Sequence, residues 1–441
     1  MERVPRETKM AALRRFRGQL PFLLRVNPQR FFDLRGAETN CGIVFCPHVN
    51  GELGVWEVAH ALGHENCYAG KRPRDFDERR LGRWGNYKLK VQKAFKYNRI
   101  QEIVATKSFG MGIDKPNIRY PIHICIPHSV EAFYQEAGRA GRNGKPGYAI
   151  SAILYSDENW VEAMEIFNEP DHRKAQKKIE NVPWNSRGDL LIQLWLLYNT
   201  YRGREDEFQN AFDFWETRLR PGLKGLPFGA TRLLEISFTR PTRFDDEEEQ
   251  STGRVALEKA IFRMVILGIL EDYTVDWNTS AFQLRIRNAS PLEIKQALRA
   301  YLARYKLPAT ADQMVQSIPE NDQEEALRAA LRVLIDFVYD EIAAKRKQAL
   351  RTMAELCRNF RSDRDFREAI LAYLQESEFS AELRTWLGRG FDEIGLEKIR
   401  DLLGKLSSLD EIKRLVGTTR RMLDEDPANL PLRYLSAVAR A

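Results

Sequence analysis

The sequence of 441 residues contains no long apolar segment and few cysteines. No apolar run approaches the ~18 residues that a membrane-spanning helix needs. The N-terminal stretch MERVPRETKMAALRRF has none of the apolar character of a signal peptide. The 5 cysteines form no CxxC pair and follow no regular spacing, which argues against a disulfide framework and against a zinc site. We therefore expect a cytoplasmic protein with reduced thiols and no membrane partner.

A phosphate-binding loop of the form G-x-x-x-x-G-K-[S/T] is also missing from the sequence. Gly404 and Lys405 stand together, but a leucine follows them. The segment LIDFVYDE at 334–341 resembles a strand that ends in a metal-binding Asp-Glu pair, yet its flanks read as continuous helix, so we reject it. The sequence therefore lacks the groups that hold a nucleotide's β-phosphate and its Mg²⁺.

Charge is plentiful and unevenly distributed. The net charge is +7, the pI is about 9.0, and 43% of the residues are hydrophobic, enough for real cores. Residues 1–35 hold 9 Lys or Arg against 3 acids, and residues 71–96 are rich in Lys and Arg with Trp84 and Tyr87 between them. A basic excess suits a polyanionic partner, although many basic proteins bind no nucleic acid.

Short apolar runs alternate with helical patterns up to Trp160. This alternation predicts βαβ units and a parallel sheet covered on both faces, so an α/β fold. We predict strands at 42–46, 65–69, 102–106, 120–126 and 148–155, and helices at 9–16, 52–62, 87–95 and 130–137.

The alternation stops after Trp160. Two helices are expected within 187–218, a strand at 230–238, and a helix at 256–270 that leads into two strand-like runs. A helix followed by a hairpin is the order of a winged-helix unit, and an ordinary α+β packing element is the alternative. Residues 291–441 read as helical almost throughout, with one long helix or two in tandem across 322–360.

The segment ATKSFGMGIDKPN at 105–117 follows a predicted strand and carries two glycines, Gly110 and Gly112. Glycine lets a backbone come close to phosphate groups or adopt positive φ. Asp114 is an acceptor suited to a ribose hydroxyl. Taken alone, a glycine turn after a strand is a common feature.

The segment AFYQEAGRAGRNG at 132–144 places Arg139 and Arg142 three residues apart, each after a glycine. On the last turn of a helix, residues i and i+3 point to one side. Two guanidinium groups on one side form a clamp for a phosphate, because each planar fork donates two hydrogen bonds. For two arginines in general, an ordinary surface pair is the alternative.

Together these segments resemble motifs V and VI of superfamily 2 nucleic-acid helicases. The order FGMGIDKPN then YQEAGRAGRNG is similar to the RecQ DNA helicases in particular. IVFCP at 43–47 resembles motif IV, and YAG at 68–70 stands where the family has its next loop. The resemblance covers 42–160 and implies the second RecA-like lobe of a helicase motor.

The resemblance implies roles for individual residues. Arg139 and Arg142 would be arginine fingers that reach ATP bound on the other lobe and stabilise charge on its γ-phosphate, with Gln135 beside them. Asp114, with Gly110 and Gly112, would line the nucleotide cleft. The expected contacts to DNA are Thr106, Ser108 and His48.

Several features depart from the family pattern. His48 replaces a small polar residue, Tyr68 replaces a loop histidine, and a basic insertion lies between Gly70 and Val91. These changes put the DNA contacts of that region in doubt. RecQ proteins usually carry a four-cysteine zinc module after this lobe, which one cysteine after Cys125 excludes here. No metal site is predicted.

We therefore interpret the chain as the C-terminal part of an ATP-dependent RecQ-like DNA helicase acting on single-stranded or forked DNA, in repair or recombination, in a bacterial cytosol or nucleoid. ATP and Mg²⁺ would be held mainly by a first RecA-like lobe, supplied in trans or in a longer form of the protein, and the isolated chain would be inactive. The alternatives are a non-catalytic DNA-binding or scaffolding subunit and an RNA helicase lobe.

The expected organisation has four parts. They are a linker segment at 1–40, the helicase C-terminal RecA-like lobe at 41–160, an accessory unit of winged-helix-like character at 161–290, and an all-α region at 291–441.

Overall fold

The computed structural model describes residues 1–109, 114–142, 144, 148–238, 246–276, 279–375, 380–406 and 408–440. The chain divides into two compact units. The first unit comprises 1–201 and 344–370, and the second comprises 202–343 and 371–441. In the described part of the chain, no helix combines the length and the apolar character that a membrane crossing would require.

The strands and helices are numbered along the chain. The strands are β1 (Glu2–Arg3), β2 (Cys41–Phe45), β3 (Cys67–Tyr68), β4 (Glu102–Ala105), β5 (Ile118–His123), β6 (Ala152–Tyr155), β7 (Thr231–Ser237), β8 (Leu270–Asp276) and β9 (Ala281–Arg287). The helices are α1 (Lys9–Leu23), α2 (Val55–Ala61), α3 (Glu78–Leu81), α4 (Trp84–Lys96), α5 (Val130–Ala137), α6 (Trp160–Asn168), α7 (His172–Glu180), α8 (Asp189–Thr200), α9 (Arg204–Phe214), α10 (Arg220–Leu223), α11 (Asp246–Ile266), α12 (Pro291–Leu302), α13 (Pro308–Val315), α14 (Gln323–Phe337), α15 (Ala344–Arg358), α16 (Asp363–Gln375), α17 (Ser380–Arg384), α18 (Phe391–Gly404), α19 (Leu409–Glu425) and α20 (Leu430–Val438).

The first unit is built on a six-stranded sheet in the order β1-β6-β5-β2-β4-β3. Each neighbouring pair of strands is parallel. The strands β2, β4, β5 and β6 are buried along their whole length, as expected when helices cover both faces of a parallel sheet. The predicted α/β fold of this region is confirmed.

The N-terminal segment belongs to the sheet and its helix layer. Strand β1, which was not predicted, pairs with β6, with Glu2 beside Leu154. Helix α1 continues to Leu23 although Pro21 lies within it, because a proline in the last turn removes only one helical hydrogen bond. The boundaries of the two units thus differ from those of the four parts expected from the sequence. The division into four functional parts stays a prediction.

A fully buried ion pair fixes α1 against the sheet. The ammonium group of Lys9 contacts the carboxylate of Asp189, and both side chains are buried. Lys9 also donates to the carbonyl oxygens of Ile124 and Leu154, at 2.5 and 2.9 Å. Asp189 accepts the N–H groups of Ile126 and Ser156, at 3.0 and 3.3 Å. The pair therefore joins α1 and α8 to the ends of β5 and β6.

Several elements are shorter than the apolar runs predicted. The run 65–69 contributes only Cys67–Tyr68 as β3, and 148–155 contributes Ala152–Tyr155 as β6. The basic stretch at 71–96 contains the short helix α3 ahead of α4. The side chain of Asp77 caps α3 by accepting the N–H groups of Arg79 and Arg80.

The second unit contains a three-stranded antiparallel sheet in the order β7-β9-β8. Helix α11 leads directly into the hairpin β8–β9, which confirms the predicted order of helix and two strands. Strand β7 adds a third strand against β9, with Leu234 opposite Leu284. The assignment of a winged-helix unit stays a prediction.

The C-terminal region is helical, as predicted, from α12 onward. Helix α14, a π-helical segment (Val338–Ala343) and α15 follow one another without an intervening loop, which confirms the long helical stretch expected over 322–360. Helices α17 to α20 share a core that includes Trp386, Leu402, Leu415 and Leu435.

Candidate nucleotide and nucleic-acid site

Two hydroxyl groups stand side by side at the carboxyl end of β4. The Oγ1 atom of Thr106 and the Oγ atom of Ser108 lie 2.9 Å apart, and both residues are partly buried. The backbone N–H of Thr106 donates to the carbonyl oxygen of Tyr68 at 3.2 Å, which ties this turn to β3. Two hydroxyl donors on a fixed turn can contact one phosphate group.

Helix α5 begins after the carboxyl end of β5 and returns the second segment to the opposite edge of the sheet, where the N–H of Gly141 donates to the carbonyl oxygen of Ile118 at 3.3 Å. The side chain of Ser129 caps the helix by accepting the N–H of Ala132 at 3.1 Å. Gln135 lies on the helix with its side chain exposed.

The sequence predicted that the arginines lie on the last turn of α5. They lie beyond it, because the helix ends at Ala137. Arg139 and Arg142 follow in the next turns, and between them Gly141 has a φ of +72°, a conformation that L side chains rarely adopt. Burial lowers the pKa of Arg139, the charge of Glu136 raises it, and the charge of Arg142 lowers it further. That the two arginines form a phosphate clamp stays a prediction.

Arg142 and Asp114 contact each other directly. The Nη1 atom of Arg142 lies 2.7 Å from Oδ1 of Asp114, and the Nε atom of Arg142 donates to the carbonyl oxygen of Gly138 at 3.4 Å. The Asp114 side chain is 83% exposed and that of Arg142 is 38% exposed. Both groups can therefore reach a ligand in solvent, and the contact brings together one residue from each of the two motif segments.

A buried pair holds α5 on the sheet. The Nε2 atom of His123, at the end of β5, lies 2.9 Å from Oε2 of Glu136, and both residues are buried. The His123 ring also stacks on Phe45 of β2, with centroids 4.9 Å apart. The spacing of His123 and Glu136 gives no local signal of this contact.

The other expected site residues are two glycines and a histidine. Gly110 and Gly112, predicted to line the nucleotide cleft, lie outside the described residues. His48, predicted as a DNA contact, is buried beneath Trp184, with ring centroids 5.2 Å apart. A DNA strand at the surface does not reach a side chain buried in this way, so this contact would require Trp184 to move. It stays a prediction.

The basic insertion folds around an aromatic cluster. Phe76 packs edge-on against Trp56, Trp84 and Tyr87, with centroids 5.3, 4.9 and 4.8 Å away. The ammonium group of Lys88 lies over the Trp84 ring at 5.9 Å. The interleaved aromatic residues of the sequence are therefore the core of the insertion, and its charged side chains face outward.

Residues 35–144 match the family of the helicase conserved C-terminal domain. The chain is 30% identical over 155 residues to the ATP-dependent DNA helicase RecQ of Pasteurella multocida, covering 35% of this chain and 22% of that protein. It is 38% identical over 143 residues to the RecQ of Haemophilus influenzae, covering 32% and 22%. The family match and these relatives support a RecQ-like superfamily 2 helicase C-terminal lobe in this region.

Over a shorter stretch, the identity to another relative is higher. Over 72 residues the chain is 47% identical to the RecQ-like DNA helicase blm-1 of Caenorhabditis elegans, which covers 16% of this chain and 7% of that protein. The chain spans about a fifth of the length of the bacterial relatives, 22% in each case.

Solved structures also resemble part of the chain. The DEAD-box protein SrmB of E. coli bound to regulator of ribonuclease activity A is 22% identical, covers 36% of this chain and 78% of its own, and has a TM-score of 0.25. Domain 2 of the DEAD-box helicase Mss116p bound to an RNA duplex is 15% identical, covers 51% and 76%, and has a TM-score of 0.26. Likenesses of this size carry no conclusion about what the RecQ-like lobe binds.

Proposed function

We propose that this chain supplies the second motor lobe of an ATP-dependent RecQ-like DNA helicase. The contact between Arg142 and Asp114 carries the proposal, because it joins motif V to motif VI at an exposed position. A carboxylate and a guanidinium on one exposed surface match the two needs of a bound nucleotide, an acceptor for ribose and a cation for phosphate.

On the nucleotide side, Arg139 and Arg142 would stabilise the charge that develops on the γ-phosphate during transfer to water. Gln135 would lie beside them, and Asp114, with Gly110 and Gly112, would line the cleft. When bound, ATP with Mg²⁺ supplies the phosphoryl group and neutralises part of its charge. The residues present fit this role, since the Arg142 fork is exposed and held by a single carboxylate that a nucleotide could replace.

On the DNA side, Thr106 and Ser108 would donate to a backbone phosphate of single-stranded or forked DNA. The exposed lysines of α4 would extend this contact through charge, as basic residues do in most nucleic-acid complexes. The accessory unit at 161–290 would add further DNA contacts.

The partner that completes this motor is a first RecA-like lobe, in trans or in a longer form of the protein. That lobe would hold ATP and Mg²⁺ with a phosphate-binding loop, which is absent from these 441 residues. By itself, the chain is therefore expected not to hydrolyse ATP at a helicase rate.

The test joins the full chain to a RecQ-type first lobe and measures ATP turnover with no nucleic acid, with single-stranded DNA, and with RNA of the same sequence. We expect turnover in the joined protein, stimulation by DNA above RNA, and none in the chain alone. Stronger stimulation by RNA would favour an RNA helicase lobe. DNA binding without turnover in a joined protein whose first lobe binds ATP would favour the non-catalytic subunit.

A further inference from the structure

Two arginines and a histidine from distant parts of the first unit converge beneath Trp184. The Cζ atoms of Arg187 and Arg6 lie 4.9 and 6.0 Å from the centroid of the Trp184 ring. The His48 ring centroid lies 5.2 Å from it. Arg6 follows β1, His48 follows β2, and Arg187 lies in the turn before α8. The cluster therefore lies where parallel strands end. Ligands of open parallel sheets bind at that end.

The three side chains are buried, and several of their polar atoms lack a hydrogen-bond partner. Arg6, Arg187 and His48 are 2%, 6% and 9% exposed. Arg6 donates through Nη1 to the carbonyl oxygen of Arg187, but its Nε and Nη2 atoms have no hydrogen-bond partner within the described ranges. Among the same residues, Nη1 of Arg187 also lacks a partner, and the ring nitrogens of His48 make no hydrogen bond of good geometry, although the backbone of Asn50 lies beside them. Buried donors in this state are rare in folded proteins.

The charge of the cluster is also incompletely balanced. The carboxylate of Glu52 lies 3.9 Å from Nε of Arg6, but that carboxylate is half exposed. Glu158 accepts the backbone N–H of Arg6 at 3.2 Å and the hydroxyl of Ser156 at 3.0 Å. Burial lowers the pKa of Arg187, the charge of Arg6 lowers it further, and the charge of Glu180 raises it, so the two guanidinium groups repel each other while Glu180 opposes this effect. Guanidinium groups do not lose their proton, so this repulsion persists.

The side chain of Arg187 and the backbone next to it are both held in place. The Nε and Nη2 atoms of Arg187 donate to the carbonyl oxygens of Val182 and Ile179, at 3.0 and 2.9 Å. A Cβ atom at Gly188 would lie 2.1 Å from the carbonyl oxygen of Glu158, so only glycine allows this approach. The free edge of the guanidinium is therefore held in one direction, with Trp184, which is partly buried, as its cover.

We propose that Arg6, Arg187 and His48 form a binding site for a phosphate-type oxyanion, closed by Trp184. Water would satisfy the hydrogen bonds but not the charge, whereas a phosphate group does both. Planar guanidinium forks match two phosphate oxygens, and His48 can donate from one ring nitrogen. The site is separate from the proposed arginine fingers, since it uses none of the residues of motifs V and VI. Its occupant is inorganic phosphate or a phosphate group of a nucleic acid.

Equilibrium dialysis of the full chain against labelled inorganic phosphate tests the site directly. We expect the wild-type chain to bind one phosphate at it. Arg6→Lys and Arg187→Lys keep the charge but lose the fork, and each should weaken binding about tenfold or more. The matched control is Arg99→Ala, an exposed arginine of the first unit, which should bind like wild type. Absence of bound phosphate, or equal binding by all variants, overturns the proposal.

A second arm separates this site from the motif VI arginines. The double variant Arg139→Ala/Arg142→Ala should keep phosphate binding, and its loss there would assign the anion to the motif instead and overturn the proposal. Trp184→Phe leaves both arginines in place. It therefore tests the site even if the fold does not tolerate a substitution of a buried arginine. It should still bind phosphate but lose the phosphate-dependent change in tryptophan fluorescence. An unchanged fluorescence response in Trp184→Phe would contradict a site beneath this ring.

The source of the phosphate follows from competition. If the site takes a nucleic-acid phosphate, an oligonucleotide should displace labelled phosphate, and Arg187→Lys should weaken DNA binding. If the site takes free phosphate, the oligonucleotide should not displace it, and DNA binding should be unchanged in that variant. Both results support the site and assign its ligand.

Discussion

Both units carry exposed ion pairs, such as Arg142–Asp114 in the first unit, but they differ in how completely a central pair is buried. In the first unit Lys9 and Asp189 are both fully buried, and His123 contacts Glu136 inside the fold. In the second unit Glu207 and Arg263 are buried together, but many pairs lie at the surface and are about half exposed. Examples of these surface pairs are Arg204–Asp340, Arg332–Glu205 and Arg299–Asp312.

This difference indicates where the position of a side chain matters most. A buried pair contributes little net stability, but breaking it leaves a charge without compensation, so its geometry is strongly enforced. A surface pair is screened by solvent and is worth little. Single substitutions at the enclosed pairs are therefore expected to lower stability strongly, and substitutions at surface pairs hardly at all.

The largest expected effect belongs to Arg142. In the full chain joined to a RecQ-type first lobe, Arg142→Ala should lower ATP turnover by about 10³-fold or more, the scale of an arginine finger. Nucleotide affinity should fall far less, because the group acts mainly on transition-state charge. Arg142→Lys should not restore turnover, because ammonium lacks the bidentate fork. Steady-state ATPase assays measure this, with Arg99→Ala as control. Normal turnover in Arg142→Ala would contradict the role.

The buried pair gives the next largest effect. Lys9→Met should destabilise the first unit by about 3–5 kcal/mol, because it leaves Asp189 buried without its cation. The double variant Lys9→Met/Asp189→Asn should recover only part of this, since Lys9 also holds the carbonyl oxygens of Ile124 and Leu154. Hydrogen exchange along β6, measured by mass spectrometry in urea, reports this unit directly. A loss below about 1 kcal/mol would place this pair with the surface pairs.

A smaller, pH-dependent effect is expected at Glu102. Burial alone would raise the pKa of Glu102, but the hydrogen bond with His64 and the charge of Arg17 outweigh it, so its pKa lies below the ordinary value of 4.5. A lowered pKa contributes stability above the unfolded value, and this contribution is lost as pH falls through the folded value. Glu102→Gln should cost about 1–3 kcal/mol at pH 7. The gap to wild type should narrow below pH 4.5, as urea unfolding at several pH values would measure. A gap independent of pH would contradict the assignment.

Binding of DNA should depend on salt through α4. Lys90 and Lys93 are exposed on this helix, and replacing both by alanine should lower DNA affinity a few fold. The slope of log affinity against log salt should become shallower by about 0.9 for each phosphate that the variant no longer neutralises. Fluorescence anisotropy at two or more salt concentrations measures both. The control is Lys398→Ala, which replaces an exposed lysine of the second unit. An equal loss of DNA affinity in this control would show that α4 has no particular role in DNA binding.

The smallest effect is expected for a surface pair of the second unit. Arg204 contacts Asp336 and Asp340, and its side chain is 44% exposed. Arg204→Ala should change the free energy of unfolding by less than about 1 kcal/mol. Urea unfolding measures the change. A loss comparable to that of Lys9→Met would remove the distinction between the units.

Periodicity and motif spacing predicted the α/β fold of the first unit because its strands are continuous apolar runs. Strand β1 was not predicted, because its two residues, Glu2 and Arg3, have no apolar pattern and pair with a strand about 150 positions away. The burial of Lys9 was not predicted for a similar reason. On a helix with many basic residues, a lysine is expected in solvent, and only the distant Asp189 makes its burial possible.

The candidate site could be predicted in composition but not in geometry. Arg142 and Asp114 were placed in one site by resemblance, but their contact depends on a chain reversal that no local pattern encodes. The arginines were expected on the last turn of a helix, which was wrong because α5 ends at Ala137. The burial of His48 depends on Trp184, which comes from beyond the resembling region.

The parallel strand β1 has a consequence for how the chain is made. Strand β6, its partner, is synthesised about 150 residues later, and Asp189, the partner of Lys9, is 180 residues later. At about 5–20 residues per second, a ribosome needs roughly 10–40 s to cover that distance. During this time helix α1 exists with a lysine destined for the interior and no carboxylate to receive it. Segments that are made about 150 to 180 residues later thus decide when the start of this unit can fold.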